Sequence, residues 1–243
     1  MNPPLIETRA LGIGAACRTL VQSLDWRVAA GERWCVIGRN AAGKSTLLRA
    51  LAAISEPGVV QRGEVLWQGR SATDWPAADA AALRAFMPQQ TQDRFPLAVR
   101  RLLELSVVRE RHEALALLGT LDAADLVARN VLELSGGERQ RVALAQCVVQ
   151  GAPLLLLDEP VAFQDPAHQG LLARWMAALP GDQALVISAH DVNWIARTAT
   201  HVLALLPDGR CEHGRAAEML DATLLERVYG CAWRNLGGAW IAD

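Results

Sequence analysis

No stretch of the 243-residue chain comes near the roughly 20 apolar residues that a membrane-crossing helix needs. Its aliphatic runs are short, as at Leu154 to Leu157, so any role at a membrane is expected to go through a partner. The first residues, Met1-Asn2-Pro3-Pro4-Leu5-Ile6-Glu7, lack a basic start followed by an apolar run, and no secretory leader is expected. An excess of positive charge is also missing. Lys and Arg number 24 against 26 Asp and Glu, for a net charge of −2 and an isoelectric point near 6.2. Such a balance does not build the field that holds nucleic-acid phosphates, and no nucleic-acid partner is expected. The basic stretch Arg109-Glu110-Arg111-His112 reads as a solvated helix face. The cysteines, Cys17, Cys35, Cys147, Cys211 and Cys231, are odd in number and form no CxxC pair. A secreted disulfide framework is therefore not expected, and a reducing compartment fits better. Cys211 and His213 have no second ligand pair at zinc-site spacing and read as loop residues. There is no internal repeat. The alanine-rich patch Ala77 to Ala82 is expected to be helical.

What is present is an alternation of short aliphatic runs and longer helical patterns. Trp34-Cys35-Val36-Ile37, Leu154 to Leu157 and Ala184 to Ile187 read as strands buried on both faces, each followed by polar residues and a helix. That pattern belongs to a parallel sheet covered by helices. Residues 5 to 28 and 59 to 68 look instead like turn-linked strands of an antiparallel portion. From 97 to 150 apolar residues recur at helical spacing, among them Leu102, Leu103, Leu105, Val107, Val108, Leu115, Leu117, Leu118, Leu121 and Leu126. The expected fold is α/β: a mostly parallel core sheet, an N-terminal antiparallel β portion, and a helical lobe at about 97–150 inserted into one domain spanning 1–243.

Two motifs carry chemistry on that frame. Gly38-Arg39-Asn40-Ala41-Ala42-Gly43-Lys44-Ser45, followed by Thr46, fits a P-loop between a strand and a helix. The terminal glycines let backbone N–H groups converge on phosphate oxygens, and the helix beginning near Lys44 adds its positive end. Lys44 would reach the β- and γ-phosphates of ATP, and Ser45 would ligate Mg²⁺. Asp158 and Glu159 follow the strand Leu154 to Leu157, at the sheet edge where ligands bind. Asp158 suits Mg²⁺ or its waters, and Glu159 suits a general base for the attacking water. Two acids after a strand are also an ordinary helix N-cap; the P-loop is what tips the balance.

A third glycine-rich helix start, Leu134-Ser135-Gly136-Gly137-Glu138 with Arg139-Gln140-Arg141-Val142, resembles the signature segment of the ABC ATPases in its glutamate form. Other elements similar to that family follow in order. Phe86-Met87-Pro88-Gln89 is similar to its Q-loop, with Gln89, or Gln90 beside it, approaching Mg²⁺ and the water. Phe163-Gln164-Asp165 is similar to its D-loop, with Gln164 where leucine is usual. Ser188-Ala189-His190-Asp191 is similar to its switch, with His190 toward the γ-phosphate. The likeness runs over roughly residues 5 to 235. It implies an ATPase whose two copies form a head-to-tail homodimer around two ATP, Ser135, Gly136, Gly137 and Glu138 of one copy facing the nucleotide of the other. It implies integral membrane permease subunits as direct partners, a periplasmic or surface substrate-binding protein as an indirect one, and a peripheral position on the cytoplasmic face of the cell membrane. Asp165 to Gln169, His190 to Asn193 and the tail from Gly214 resemble subunits that power uptake of vitamin B12, haem and iron-siderophore chelates; the compact stretch between Gln89 and Ser135 and the C-terminal stretch Tyr229 to Leu236 are most like the B12 type.

The chain departs from the family at two places. An aromatic residue that stacks on adenine is usual upstream of the P-loop, and that position falls near Ala15. Trp26, the nearest aromatic, lies in a strand pattern and reads as core. Weaker grip on the base and looser base selectivity are the expectation. Ala41 stands where glycine is usual, and is strained if the loop needs a positive φ there. Trp67, Trp75, Trp175, Trp194, Trp233 and Trp240 are scattered and read as packing. Two other function classes compete. A soluble, non-transport ABC ATPase would carry fused nucleotide domains or a long coiled-coil insertion, neither of which is seen. A nucleotide-binding regulatory module would not need both Glu159 and His190.

Overall fold

The computed structural model describes residues 3–15, 18–91, 95–106 and 111–243, with backbone alone over 111–115. Cys17, Val107, Val108, Arg109 and Glu110 therefore lie outside the described residues, as do the side chains of Arg111, His112 and Leu115.

The N-terminal strands β1 (Ile6–Ala15) and β2 (Arg18–Val28) form an antiparallel hairpin. β3 (Arg33–Ile37) leads through the P-loop into α1 (Lys44–Leu51). β4 (Val59–Trp67) pairs antiparallel with β1, and the two-residue β5 (Arg70–Ser71) closes that four-stranded sheet in the order β2-β1-β4-β5. α2 (Ala77–Leu83), the expected alanine-rich helix, runs directly into β6 (Arg84–Met87). Three helices follow: α3 (Val99–Ser106), α4 (Arg111–Thr120) and α5 (Gly136–Val148). Between β6 and β7 (Leu154–Asp158) the described residues add no strand to the large sheet. Then come α6 (Pro166–Ala177), β8 (Ala184–Ser188), α7 (Val192–Thr198), β9 (His201–Leu205) and β10 (Cys211–Arg215). α8 (Ala216–Met219), α9 (Ala222–Tyr229) and a terminal hairpin of β11 (Trp233–Leu236) and β12 (Ala239–Ala242) complete the chain.

The large sheet runs β10-β9-β3-β8-β7-β6 and is parallel except at the β10 edge. The aliphatic runs are what a two-sided sheet requires, because successive side chains point to opposite faces. In β7, Leu155 and Leu157 enter one core while Leu154 and Leu156 enter another. In β3, Cys35 and Ile37 divide from Trp34 and Val36 in the same way, and in β8 Leu185 and Ile187 divide from Ala184 and Val186. The first core receives Leu103, Leu118, Leu121 and Val142 from the helical segment. The second receives α1 through Leu47 and Leu51, and the antiparallel sheet through Trp26, Val65 and Trp67. This is the expected α/β arrangement of a mostly parallel core sheet with an N-terminal antiparallel sheet.

Four readings of the sequence change at this level. Cys211 and His213 lie on β10 rather than in a loop, and His213 meets Trp34 edge-on at 6.1 Å between ring centres. Leu105, counted among the core-spaced residues of the lobe, is 63% exposed. The helix after the P-loop stops at Leu51, although its pattern runs on to Ala53; Ala53 takes a positive φ of 52° and leaves the helix. Strands β9 to β12 were not anticipated. The terminal hairpin is pinned by Asn193, which donates to the Trp240 carbonyl at 3.0 Å and accepts from the Trp240 amide at 2.7 Å. Of the tryptophans, Trp26, Trp67, Trp175 and Trp194 are buried as core, while Trp75, Trp233 and Trp240 are half-buried.

Candidate active site

The carboxyl ends of four neighbouring parallel strands assemble the site. Register places Val36 of β3 beside Ser188 of β8, Ser188 beside Asp158 of β7, and Leu157 of β7 beside Met87 of β6. The P-loop, the switch segment, the acid pair and Gln89 therefore leave the sheet side by side, where ligands bind in open α/β sheets.

The P-loop opens onto a cavity of about 840 Å³, into which Asn40, Ala41, Gly43, Lys44, Ser45 and Thr46 face. Gly43 caps α1 with φ 98°, and a Cβ there would come within 2.9 Å of Leu20 Cβ, so only glycine fits. Ala41 does take a positive φ, 60°, so the strain anticipated for alanine is present. Lys44 is almost fully buried, and its ammonium donates to the carbonyls of Gly38 at 2.9 Å and Arg39 at 3.2 Å. Burial pushes its pKa down, against the pull of Glu159 and Asp158. A buried cation whose hydrogen-bond partners among the described residues are carbonyls is poised for an anion. Arg39 and Ala42 face an adjoining cavity of about 250 Å³.

The acid pair divides its labour. Asp158 is fully buried; Ser188 Oγ donates to its Oδ1 at 2.6 Å, while Oδ2 has no hydrogen-bond partner among the described residues. An orphaned buried carboxylate oxygen next to a phosphate loop matches a hard divalent cation or its waters. Glu159 sits at φ 51°, a left-handed conformation that is uncommon outside glycine and is found at functional sites. Its Oε2 receives Gln89 Nε2 at 2.9 Å, its Oε1 lies 2.5 Å from His190 Nε2, and its amide donates to Ser188 Oγ at 2.8 Å. Gln89, Glu159 and His190 all face the P-loop cavity. Gln90 is not among the residues lining it.

The structure leaves two predicted groups outside this cavity. Ser135, Gly136, Gly137 and Glu138 start α5 elsewhere on the surface, with Ser135 and Gly136 exposed. Ser135 and Glu138 form a reciprocal capping box: Ser135 N donates to Glu138 Oε2 at 2.7 Å, and Glu138 N donates to Ser135 Oγ at 3.4 Å. Arg129 pairs with the other Glu138 oxygen at 2.6 Å. Both side chains are thus committed to their own turn, which leaves the first helical amides as what this segment can offer an anion. Asp165 caps α6 and pairs with His168 at 2.9 Å, and these hydrogen bonds hold its carboxyl below the usual range. His168 also contacts Asp122 at 3.3 Å, tying this turn to the helical segment.

Several participants escaped sequence reasoning. Ser188 links Asp158 to the Glu159 backbone. Gln140 Nε2 donates to the Glu159 carbonyl at 2.8 Å, and Gln164 Nε2 to the Gly137 carbonyl at 2.9 Å, so α5 is bonded to both acidic turns. Arg18 and Leu20 of the N-terminal hairpin also line the cavity, beside Ala15, the position expected to lie near the base. The motifs that contain Ser188, Gln140 and Gln164 do not announce these bonds, because each bond spans a long sequence separation.

Fold and site together define a P-loop nucleotide triphosphatase. The sequence matches the ABC transporter family over residues 21–162, and the chain belongs to that family, as an ATPase of it. Among its relatives, the hemin import ATP-binding protein HmuV of Streptomyces coelicolor is 40% identical over 224 residues, covering 87% of this chain and 78% of that protein. HmuV of Pseudomonas aeruginosa is 38% identical over 241 residues, covering 93% and 92%. An inward-facing ABC transporter structure assigned to the metal-chelate type matches with TM-score 0.77 at 21% identity, covering 99% of this chain and 96% of that one; at that identity it speaks for the fold.

Proposed function

We propose that this chain is the ATP-binding and ATP-hydrolysing subunit of an ABC importer for metal chelates, with haem or siderophore-type cargo favoured by the names of its relatives. Cobalamin is a cargo of the same chemical class and rests only on the resemblance of the compact stretch between Gln89 and Ser135 and of the C-terminal stretch. The observation that carries catalysis is the paired engagement of Glu159 by Gln89 and His190 at the mouth of the P-loop.

ATP takes its phosphates to the loop amides and Lys44. Its γ-phosphate draws His190, which frees a Glu159 oxygen to accept a proton from the attacking water. Ser45 and Gln89 on the cavity wall, with the unpartnered Asp158 Oδ2 behind them, fit Mg²⁺. When bound, Mg²⁺ would neutralise charge on the β- and γ-phosphate oxygens. Because the exposed start of α5 lies outside its own chain's cavity, Ser135 to Glu138 are assigned to the nucleotide of a second copy, with Asp165 near the junction of a homodimer. The whole of 1–243 is one ABC ATPase domain with its helical lobe at about 97–150. Among the described residues no helix is long and apolar enough to cross a membrane, so permease subunits would carry the transport path. The chain would sit peripherally on the cytoplasmic face and meet a substrate-binding protein only indirectly.

The test is Mg²⁺-dependent phosphate release by the purified chain at rising protein concentration, with Glu159→Gln alongside. Specific activity that climbs with concentration and disappears in the variant supports sites shared between copies. Activity independent of concentration would mean a site complete in one chain and would overturn the shared-site reading.

A further inference from the structure

The inference below deepens the nucleotide reading and rests on it. The triphosphate end of the cavity is accounted for by the P-loop, Lys44 and the Gln89–Glu159–His190 group. A nucleotide has two further parts, ribose and base, and the remaining wall comes from the β1–β2 hairpin: Ala15, Arg18 and Leu20. Leu20 is seated against Gly43, so this wall adjoins the phosphate loop. Ala15 and Arg18 are direct cross-strand partners, which puts both side chains on one stretch of wall. Ala15 offers a methyl group and Leu20 an aliphatic one. Arg18 alone of the three has a planar group.

Arg18 is exposed, and it makes no hydrogen bond or ion pair with the described residues. Its guanidinium is therefore not committed elsewhere, and it also reaches the adjoining cavity that Arg39 and Asn40 line. A guanidinium stacks flat on π-faces, and such contact is tolerant of base identity because every base presents a face. The phosphates already have an ammonium and a ring of amides.

We propose that Arg18 is the base-gripping residue of this site, its guanidinium stacking on the purine of the bound nucleotide. Ala15 is small enough to leave that face open. The grip is nucleobase-tolerant, so ATP and GTP bind with affinities within a few-fold of each other.

Calorimetric titration of the full chain with MgATP, MgGTP and inorganic tripolyphosphate tests this in the parent, Arg18→Ala and Arg18→Trp. Arg18→Ala is expected to weaken ATP and GTP alike by about three- to thirtyfold while tripolyphosphate binding stays put. Arg18→Trp, planar but uncharged, is expected to recover most of the loss. A parallel drop in tripolyphosphate affinity would make Arg18 a phosphate anchor and overturn the proposal, as would unchanged ATP affinity in Arg18→Ala. A parent that binds neither ATP nor tripolyphosphate would instead remove the nucleotide reading beneath it. Matching thermal midpoints of parent and variants separate these results from misfolding.

Discussion

His190 Nε2 stands 2.5 Å from Glu159 Oε1 while Gln89 Nε2 holds the other carboxylate oxygen at 2.9 Å. Two residues, from the ends of two strands, thus converge on the carboxylate of Glu159, a residue that also sits at a left-handed φ of 51°. Its direction is set by partners on both sides and by Ser188 at its amide. As the proposed base, Glu159 held this way is pre-aimed, and its loss should be felt in the chemical step rather than in binding.

Glu159→Gln preserves the shape and the hydrogen-bond reach but cannot take a proton. Phosphate release should fall at least about a hundredfold, the ordinary contribution of a general base. Equilibrium ATP affinity should hold or rise. Turnover at the parent rate would show that another group accepts the proton.

The motif residues of this site were legible because their spacing is local: a strand, a glycine turn and a helix lie within a dozen residues of Gly38, and Leu154 to Glu159 carries its own strand. The two-core sheet followed from aliphatic runs that suit burial on both faces. Ser188, Gln140 and Gln164 were hidden because each bonds to a residue 19 to 30 positions away, and a serine or glutamine in sequence carries no mark of its partner. The capping box at Ser135 and Glu138 has a local signature, serine followed three residues later by glutamate. It was overlooked because the same residues also spell the family segment. The terminal hairpin was missed because β11 and β12 are four residues each and mostly exposed, so no alternation of buried residues announces them.

Ser188→Ala tests the link that spacing could not show. The hydroxyl gives one bond to fully buried Asp158 and takes one from the Glu159 amide. Removing it leaves a buried carboxylate with neither oxygen satisfied. A loss of about 1–3 kcal/mol in urea unfolding is expected. Phosphate release should drop as well, because the Glu159 turn loses an anchor. Unchanged stability would mean that water replaces the hydroxyl.

Glu138 gives a pH dependence with a definite sign. The Ser135 amide, then the Ser135 hydroxyl and Arg129, hold its carboxyl below the ordinary glutamate value of 4.5. A folded value depressed below the unfolded one contributes stability that is complete above the unfolded value and drains away as pH falls through the folded one. Glu138→Gln can keep the cap hydrogen bonds but not the charge. Its thermal midpoint should lie below that of the parent at pH 7, and the gap should narrow as pH falls below the ordinary value of 4.5 and close below the depressed folded value. A gap that persists in acid would mean that shape, not charge, is what Glu138 supplies.

Gln164 stands at the D-loop-like position where the family resemblance leads one to expect leucine, and its two amide atoms fare differently. Nε2 donates to the Gly137 carbonyl, whereas Oε1 is buried without a partner among the described residues. Gln164→Leu gives up a bond worth about 1 kcal/mol but also removes an unsatisfied oxygen that costs a similar amount. Stability should change by less than about 1 kcal/mol. Gln164→Ala loses the same bond and leaves a void, so it should destabilise by more. If leucine proved the worse replacement in chemical denaturation, the bond to Gly137 would outweigh the orphaned oxygen.

Ala41→Gly isolates the cost of one backbone conformation. Ala41 holds φ 60° within the P-loop and faces both cavities. A left-handed conformation costs a residue with a Cβ about 1–2 kcal/mol. Glycine removes that strain but adds freedom to the unfolded chain, which returns about 0.4–1 kcal/mol of the gain. The net expectation is a modest stabilisation, up to about 1 kcal/mol, seen as a raised midpoint in urea. Tripolyphosphate affinity should be kept, because the amides that face the phosphates stay where they are. A destabilised variant would mean that the Ala41 methyl contributes packing against the cavity wall that exceeds the strain, and the φ would then reflect a loop held in place by its neighbours rather than one working against its own residue.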